Sequence, residues 1–370
     1  MDKRKFIVIG FVIMCFNSLY QYSWNALEPI LRSSLEVSLV QVSLGFSLFS
    51  LFSSGFQPIG GHFADKQGPK KVGLISAFLS SLGFLGTYFF HNIYVFYFFW
   101  SLGSIGEGIL YGIAANLAMK WFKERMAFAT GIVSMGFGLG SAIANPFIAT
   151  FANYDVFLII GLVEVILLPL LLYFVDYPPR LTGKPPGEVI LTGKFWLIYV
   201  SFVTAVVPLT VMSSQLPTLG KGLPQSTLIL LISLLPLLSG GLRPFFGLLA
   251  DRLGIINTTL LLNVIITLGA LSLMLGNIVV ATVLIGFAGG SMITLYFNVA
   301  GAIFGTKFST VNSGLLYTGK GLGGVMGSVV FAILYNIGLF TSELYTFLCG
   351  VVSVITLLAV IQRSKVSSKR

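Results

Sequence analysis

Uninterrupted apolar runs of about 20 residues follow one another from one end of this chain to the other, the length a helix needs to cross roughly 30 Å of hydrocarbon. The stretches 156–175 and 341–361 are two of them. Backbone in lipid must satisfy its own hydrogen bonds, and a β-barrel would show short alternating segments instead. The fold class implied is an all-α membrane protein. Charged residues make up only 9% of the chain, against about 25% in a typical soluble domain, too few to cover a water-facing surface. The same hydrophobicity excludes disorder. The two cysteines, Cys15 and Cys349, lie in apolar runs, and the two histidines are His62 and His91. That inventory gives no disulfide scaffold and no metal site, and no cofactor is expected.

The runs predict twelve helical spans: 6–31, 41–64, 72–90, 93–119, 126–150, 156–175, 195–218, 226–249, 255–275, 278–303, 309–335 and 341–362. Lys3, Arg4 and Lys5 followed by an apolar run resemble a signal peptide. The run continues to about Leu31 without a small-residue cleavage site, so it reads as a retained first span. A polar stretch with four prolines, 176–194, sits at the midpoint. The chain therefore divides into a six-helix bundle 1–175, a linker 176–194 and a second six-helix bundle 195–370. Of 22 Lys and Arg, 18 fall on the side of the N-terminus, and only Arg32 and Lys221 fall opposite. This asymmetry places both termini and the linker in the cytoplasm and the protein in the cytoplasmic membrane. It also accounts for the net charge of +10 without invoking nucleic acid. No obligate protein partner is evident; the lipid bilayer is the expected surround.

An octamer occurs twice. The loop after span 2 reads Gly61-His-Phe-Ala-Asp65-Lys66-Gln-Gly68, and the loop after span 8 reads Gly247-Leu-Leu-Ala-Asp251-Arg252-Leu-Gly254. Both fit G-x-x-A-D-[KR]-x-G, 186 residues apart, about half the chain. Two such turns at equivalent places in two six-helix halves indicate duplication. Asp65, Lys66, Asp251 and Arg252 are candidates for contacts that change between conformations. The glycines serve tight turns and close helix approach. Gly136-x-Gly138-x-Gly140 has no preceding strand, so it is a helix-packing surface rather than a nucleotide loop.

The remaining two basic residues, Arg243 and Lys320, lie inside spans 8 and 11. A basic residue at the bilayer centre costs roughly 2.5–3.5 kcal/mol on insertion scales. Arg243 lies roughly 12 Å from the Asp251 turn and Lys320 roughly 18 Å into its span, at a rise of about 1.5 Å per residue. Both fall near the midplane. An arginine fork grips a carboxylate through two bonds, and a lysine adds a point charge. The competing reading is a structural ion network with the two acids buried in the other half, Glu107 and Glu164. Glu107 is also a candidate for proton coupling; Glu164, eight residues from the outer end of its span, reads as structural.

The duplicated turns resemble those of the major facilitator superfamily. Within it, several segments resemble the oxalate/formate antiporter family: Gln21-Tyr22-Ser23-Trp24, Gln57-Pro58 with Gly60-Gly61, Asp65-Lys66-x-Gly68-Pro69 and Tyr111-Gly112-Ile113-Ala114. So do Trp121-Phe122, the Gly136 run, Gly241-x-Arg243-Pro244-Phe245 and Gly314 with Lys320. The resemblance implies exchange of a small carboxylate held by Arg243 and Lys320, with Gln21, Tyr22, Tyr111 and Tyr317 about it. Phe137 stands where the family's oxalate transporter has a tyrosine and Tyr317 where it has a tryptophan. The span 10 tryptophan is replaced within 287–290. Oxalate, a related monocarboxylate and another small carboxylate all remain open as substrates.

The expectation is a secondary transporter that moves a small organic anion by alternating access, with a counter-anion exchanged. One alternative is a proton-linked symporter of lactate- or pyruvate-like monocarboxylates. Two others come from different classes. A membrane-embedded enzyme would need a catalytic constellation, and the spans contain neither HExxH nor a central Asp. A transporter-like receptor usually carries long cytoplasmic extensions, against about eight residues here after span 12.

Overall fold

The computed structural model describes residues 3–151 and 153–367. Among the described residues, fifteen of sixteen α-helices account for the twelve expected spans. Span 1 is broken into α1 (Arg4–Gln21) and α2 (Trp24–Ser34). Spans 2 to 6 are α3 (Leu39–Gln67), α4 (Pro69–Phe89), α5 (Ile93–Trp121), α6 (Met126–Phe151) and α7 (Asp155–Leu172). The short α8 (Pro186–Ile190) lies in the linker, and α9 (Gly193–Leu219) is span 7. Span 8 is broken into α10 (Gln225–Gly241) and α11 (Arg243–Leu253). Spans 9 and 10 are α12 (Ile255–Met274) and α13 (Ile278–Phe304). Span 11 runs through α14 (Ser309–Val325), a π-turn and α15 (Phe331–Ile337), and span 12 is α16 (Leu339–Ser367). Arg363 and Lys365 lie on α16, while Lys369 and Arg370 lie outside the described residues.

By length and hydropathy, nine of the described helices could cross a membrane alone, and eleven spans qualify when each broken pair counts once. The twelfth is α3. At 29 residues it is long enough to cross, and serines and glycines are spread along it. Those small residues let other helices approach it closely.

Local signals set the ends. Ser38 and Gln41 form a capping box at α3, and Asn92, Thr192 and Asn277 cap α5, α9 and α13 with their side chains. The last glycine of each octamer terminates a helix. Gly68 and Gly254 have φ of 90° and 94°, a region that only glycine enters without strain.

The first glycine of each octamer brings the halves together. A Cβ on Gly61 would lie 2.7 Å from the Thr310 carbonyl on α14. One on Gly247 would lie 2.3 Å from the Ala127 carbonyl on α6. Thus α3 packs on α14 and α11 on α6, two matched contacts across the middle of the molecule. The linker is pinned to this end as well. Lys184 N donates to the Phe304 carbonyl at 2.8 Å and Lys307 N to the Thr182 carbonyl at 3.0 Å. Trp121 Nε1 donates to the Asp176 carbonyl at 2.8 Å.

Adding bulk at Gly61 and Gly247 forces backbone apart, a change that costs about 1–3 kcal/mol in packed protein. In a chain lacking Cys15 and Cys349, a cysteine at Asn116 should react faster with a polar thiol reagent once Gly61→Val and Gly247→Val are both present. Equal labelling rates would show that these glycines do not set the closure.

Candidate functional site

Arg243 is the first residue of α11, where Pro244 follows at the helix start. A proline has no N–H and cannot continue the helix above it, so span 8 breaks at this point. The arginine is 3% exposed. Its Nε donates to the Ser239 carbonyl at 3.1 Å, and Nη1 donates to the Ser134 carbonyl of α6 at 3.0 Å. The guanidinium also lies beside the hydroxyls of Tyr22 and Tyr111. Tyr22 occupies the break between α1 and α2, so both broken spans deliver a residue to the same place.

Lys320 reaches this place from α14. Its Nζ donates to Gln21 Oε1 at 2.9 Å and to the Tyr317 hydroxyl at 2.9 Å. Both cations face one ring: the Phe137 centroid is 5.8 Å from Arg243 Cζ and 5.7 Å from Lys320 Nζ. The surrounding aromatics interlock. Tyr111 stacks on Tyr317 at 5.0 Å, and Tyr22 and Tyr111 meet Phe137 edge-on at 5.4 and 5.3 Å. Phe297 of α13 packs on both Tyr111 and Tyr317, at 5.5 and 5.2 Å. The six residues expected at the site from the sequence, Gln21, Tyr22, Tyr111, Arg243, Tyr317 and Lys320, therefore converge.

The competing arrangement, an ion network of these cations with Glu107 and Glu164, does not form among the described residues. Glu107 Oε2 accepts from Ser53 Oγ at 2.6 Å, and Glu164 Oε1 accepts from Ser80 Oγ at 2.8 Å. Each acid is tied to a serine of its own half. Among the described residues, the one ion pair joins Lys120 and Asp65; Arg243 and Lys320 have no carboxylate in contact. Glu107 is nonetheless near enough to Lys320 to act on it electrostatically. Two cations held in low dielectric without a carboxylate partner carry an uncompensated desolvation cost that a bound anion would offset.

Toward the linker end, each octamer aspartate binds the start of a helix from the opposite half. Asp65 accepts from Thr310 Oγ1 at 2.6 Å and Val311 N at 2.9 Å, at the beginning of α14. Asp251 accepts from Ala127 N and Phe128 N, both at 2.9 Å, at the beginning of α6. A carboxylate there meets unpaired N–H groups and the positive end of the helix dipole. The basic residues of the octamers are not brought into this arrangement: Lys66 and Arg252 are exposed and form no ion pair among the described residues.

Three polar residues at this end escaped the sequence reading. Lys120, one of the 18 basic residues counted on the N-terminal side, is 1% exposed inside α5; it pairs with Asp65 and donates to the Lys307 carbonyl at 3.1 Å. Asn116 Nδ2 donates to Ser313 Oγ at 3.1 Å while its Oδ1 accepts from Ser309 Oγ at 2.6 Å. Asn298 Nδ2 donates to Thr130 Oγ1 at 2.7 Å. Each asparagine thus bonds to the opposite half. A solitary Asn in a long apolar helix was the available signal.

Residues 6–328 match the family model of the Major Facilitator Superfamily. An uncharacterised 38 kDa protein in the 23S RNA operon of Thermoproteus tenax is 44% identical over 90% of this chain and 89% of its own length. The oxalate:formate antiporter of Oxalobacter formigenes is 28% identical over 92% of this chain and 87% of its own. Among solved structures, the fucose:proton symporter of Escherichia coli superposes with a TM-score of 0.77 at 14% identity, covering 96% of this chain and 99% of that one. With a duplicated twelve-span fold, matched turns and a match across most of its length, this chain belongs to the Major Facilitator Superfamily, a multi-pass secondary transporter and not an enzyme.

Proposed function

We propose that the chain exchanges small organic carboxylates across the cytoplasmic membrane, with Arg243 and Lys320 as the anion ligands and Gln21, Tyr22, Tyr111 and Tyr317 completing the site. The observation that carries this reading is the pair of cations beside Phe137, Arg243 buried and Lys320 partly buried, neither met by a carboxylate among the described residues. The identity to the oxalate:formate antiporter over nearly the whole chain supports the carboxylate class. The two halves, 1–175 and 195–370, rock about the site to expose it alternately. By the excess of Lys and Arg on the N-terminal side, the octamer end and both termini are cytoplasmic. The conformation described is then closed toward the cytoplasm. An unloaded site carries two uncompensated cations through the crossing, which disfavours return without an anion and favours exchange over leak.

Arg243→Gln and Lys320→Gln should each abolish carboxylate counterflow in proteoliposomes while the protein still inserts and folds. Loss of one partner of a buried, hydrogen-bonded charge pair costs about 2–5 kcal/mol. Arg243→Lys should recover little, because an ammonium cannot reproduce the fork. Counterflow at the parental rate in either Gln variant would overturn the assignment.

In the same scheme Asp65 and Asp251 govern closure rather than binding. Asp65→Asn and Asp251→Asn each weaken a helix cap, an effect of about 1 kcal/mol or more. Exchange should slow severalfold while the equilibrium affinity for carboxylate stays within about twofold, since a 1.4 kcal/mol change corresponds to tenfold. A tenfold loss of affinity with cycling intact would assign these aspartates to the ligand site instead.

A second reading, proton-coupled uptake, is favoured by one observation: Glu107 is buried, accepts a hydrogen bond from Ser53 at its carboxyl, and acts on Lys320. Glu107→Gln mimics the protonated acid at nearly constant volume. On this reading the variant keeps anion exchange and loses its response to an imposed pH gradient. Unchanged exchange with an unchanged pH profile rejects coupling through Glu107.

A further inference from the structure

We infer that Gln57 is a second polar arm of the substrate site, and that the anion the site prefers carries a hydroxyl or second carboxyl group besides the carboxylate held by Arg243. The inference rests on the anion-site reading above and extends it to what the far end of the substrate must be.

The duplication identifies the residue. The 186-residue shift that carries Asp65 onto Asp251 and Gly61 onto Gly247 carries Gln57-Pro58 onto Arg243-Pro244. The packing repeats in the same way. A Cβ on Gly131 of α6 would meet the Arg243 carbonyl at 2.6 Å and Pro244 Cα at 3.0 Å. One on Gly314 of α14 would meet Pro58 Cα at 3.0 Å and the Gln57 carbonyl carbon at 3.1 Å. One turn away, Gly108 abuts the Ser53 carbonyl as Gly290 abuts that of Ser239. Gln57 is therefore the first half's counterpart of Arg243, at the same depth and beside the equivalent helix pair.

The second observation is independent of symmetry. Gln57 is fully buried, and both its Oε1 and its Nε2 lack a hydrogen-bond partner. Buried amide atoms are nearly always paired, and leaving one unpaired costs about 1–3 kcal/mol. The other groups around it are already committed. Ser53, one turn away, donates to Glu107, and Asn116 is engaged by Ser309 and Ser313. The Gln57 side chain lies against Gly112, where a Cβ would be 3.4 Å from Nε2. Gly112 adjoins Tyr111, whose ring stacks on Tyr317 beside Lys320. The open amide thus lies against α5, the helix that carries Tyr111, on the other half from Arg243.

The chemistry of the group selects the ligand. An amide offers an acceptor and a donor side by side, which suits a hydroxyl or a carboxyl group. An alkyl tail placed there leaves both amide atoms unpaired. A site built to hydrogen-bond its substrate rejects the analogue that lacks the polar group far more strongly than an apolar pocket rejects one that has it.

The test measures ligand-induced thermal stabilisation of the purified full-length protein with two matched pairs, glycolate against acetate and malonate against propionate. The parent protein should favour the polar member of each pair by about tenfold or more, the worth of one satisfied buried group. Gln57→Met, close in volume and without hydrogen bonds, should bring both ratios near one while acetate and propionate bind as before. Should that variant fail to fold, Gln57→Glu takes its place: it should keep the preference for glycolate and lose that for malonate through charge repulsion. Ratios unchanged in Gln57→Met, a malonate preference kept in Gln57→Glu, or a parent with no preference overturn the role of Gln57 while an Arg243→Gln loss of all four ligands keeps the anion site. If none of the four binds, or if Arg243→Gln binds them all as the parent does, the anion-site reading falls and this inference with it.

Discussion

The arrangement of this protein turns on two positive charges held in the middle of a hydrocarbon-spanning bundle with no carboxylate of the described residues against them. Arg243 and Lys320 share one phenylalanine ring and a cage of tyrosines, and their protein partners are carbonyl, amide and hydroxyl oxygens. Such groups orient a cation without neutralising it. The acids that would neutralise it, Glu107 and Glu164, are each held by a serine. The bundle thus keeps the cations desolvated and their charge available, which is what a reversible anion site requires.

Around that centre the two halves repeat one solution to the problem of closing a path at one end. Small residues of α3 and α11 let these helices touch α14 and α6 backbone to backbone. An aspartate two turns from each break or proline then takes the N–H groups at the start of the opposing helix. The bonds are made between halves and not within one, so they exist only while this end is shut. Asn116 and Asn298 add a second layer between these caps and the cage, again each reaching across. The symmetry is broken where chemistry demands it. Lys120 braces Asp65 on one side only, and the linker is threaded against the same side through Tyr177, whose hydroxyl meets Thr310 at 3.0 Å.

Much of this was legible in the chain itself. Apolar runs of membrane-crossing length set the spans, because lipid admits no other backbone solution than helices or closed barrels. The repeated octamer exposed the duplication, and two basic residues inside apolar runs marked the centre, since their desolvation cost makes them rare without a purpose. What helical spacing could not supply was which residues meet between helices distant in sequence. Hydropathy could not tell that the first and eighth spans break at Tyr22 and Arg243. Nor could it tell that Lys120 is a buried partner of Asp65 rather than a solvated loop charge, since a charge at a helix end reads the same either way. The octamers pointed to both members of each Asp-basic pair, yet only the aspartates engage, because a helix N-terminus attracts an anion and repels Lys66 or Arg252. Gln57 looked like one motif residue among many. The repeat aligns it with Arg243, but only the tertiary structure shows that its buried amide has no partner among the described residues. By itself the sequence determined the membrane class, the duplicated plan and the two central cations, because these follow from composition, period and solvation cost along the chain; only packing between the halves decided which acids stay clear of those cations and which polar groups are left free to meet a ligand.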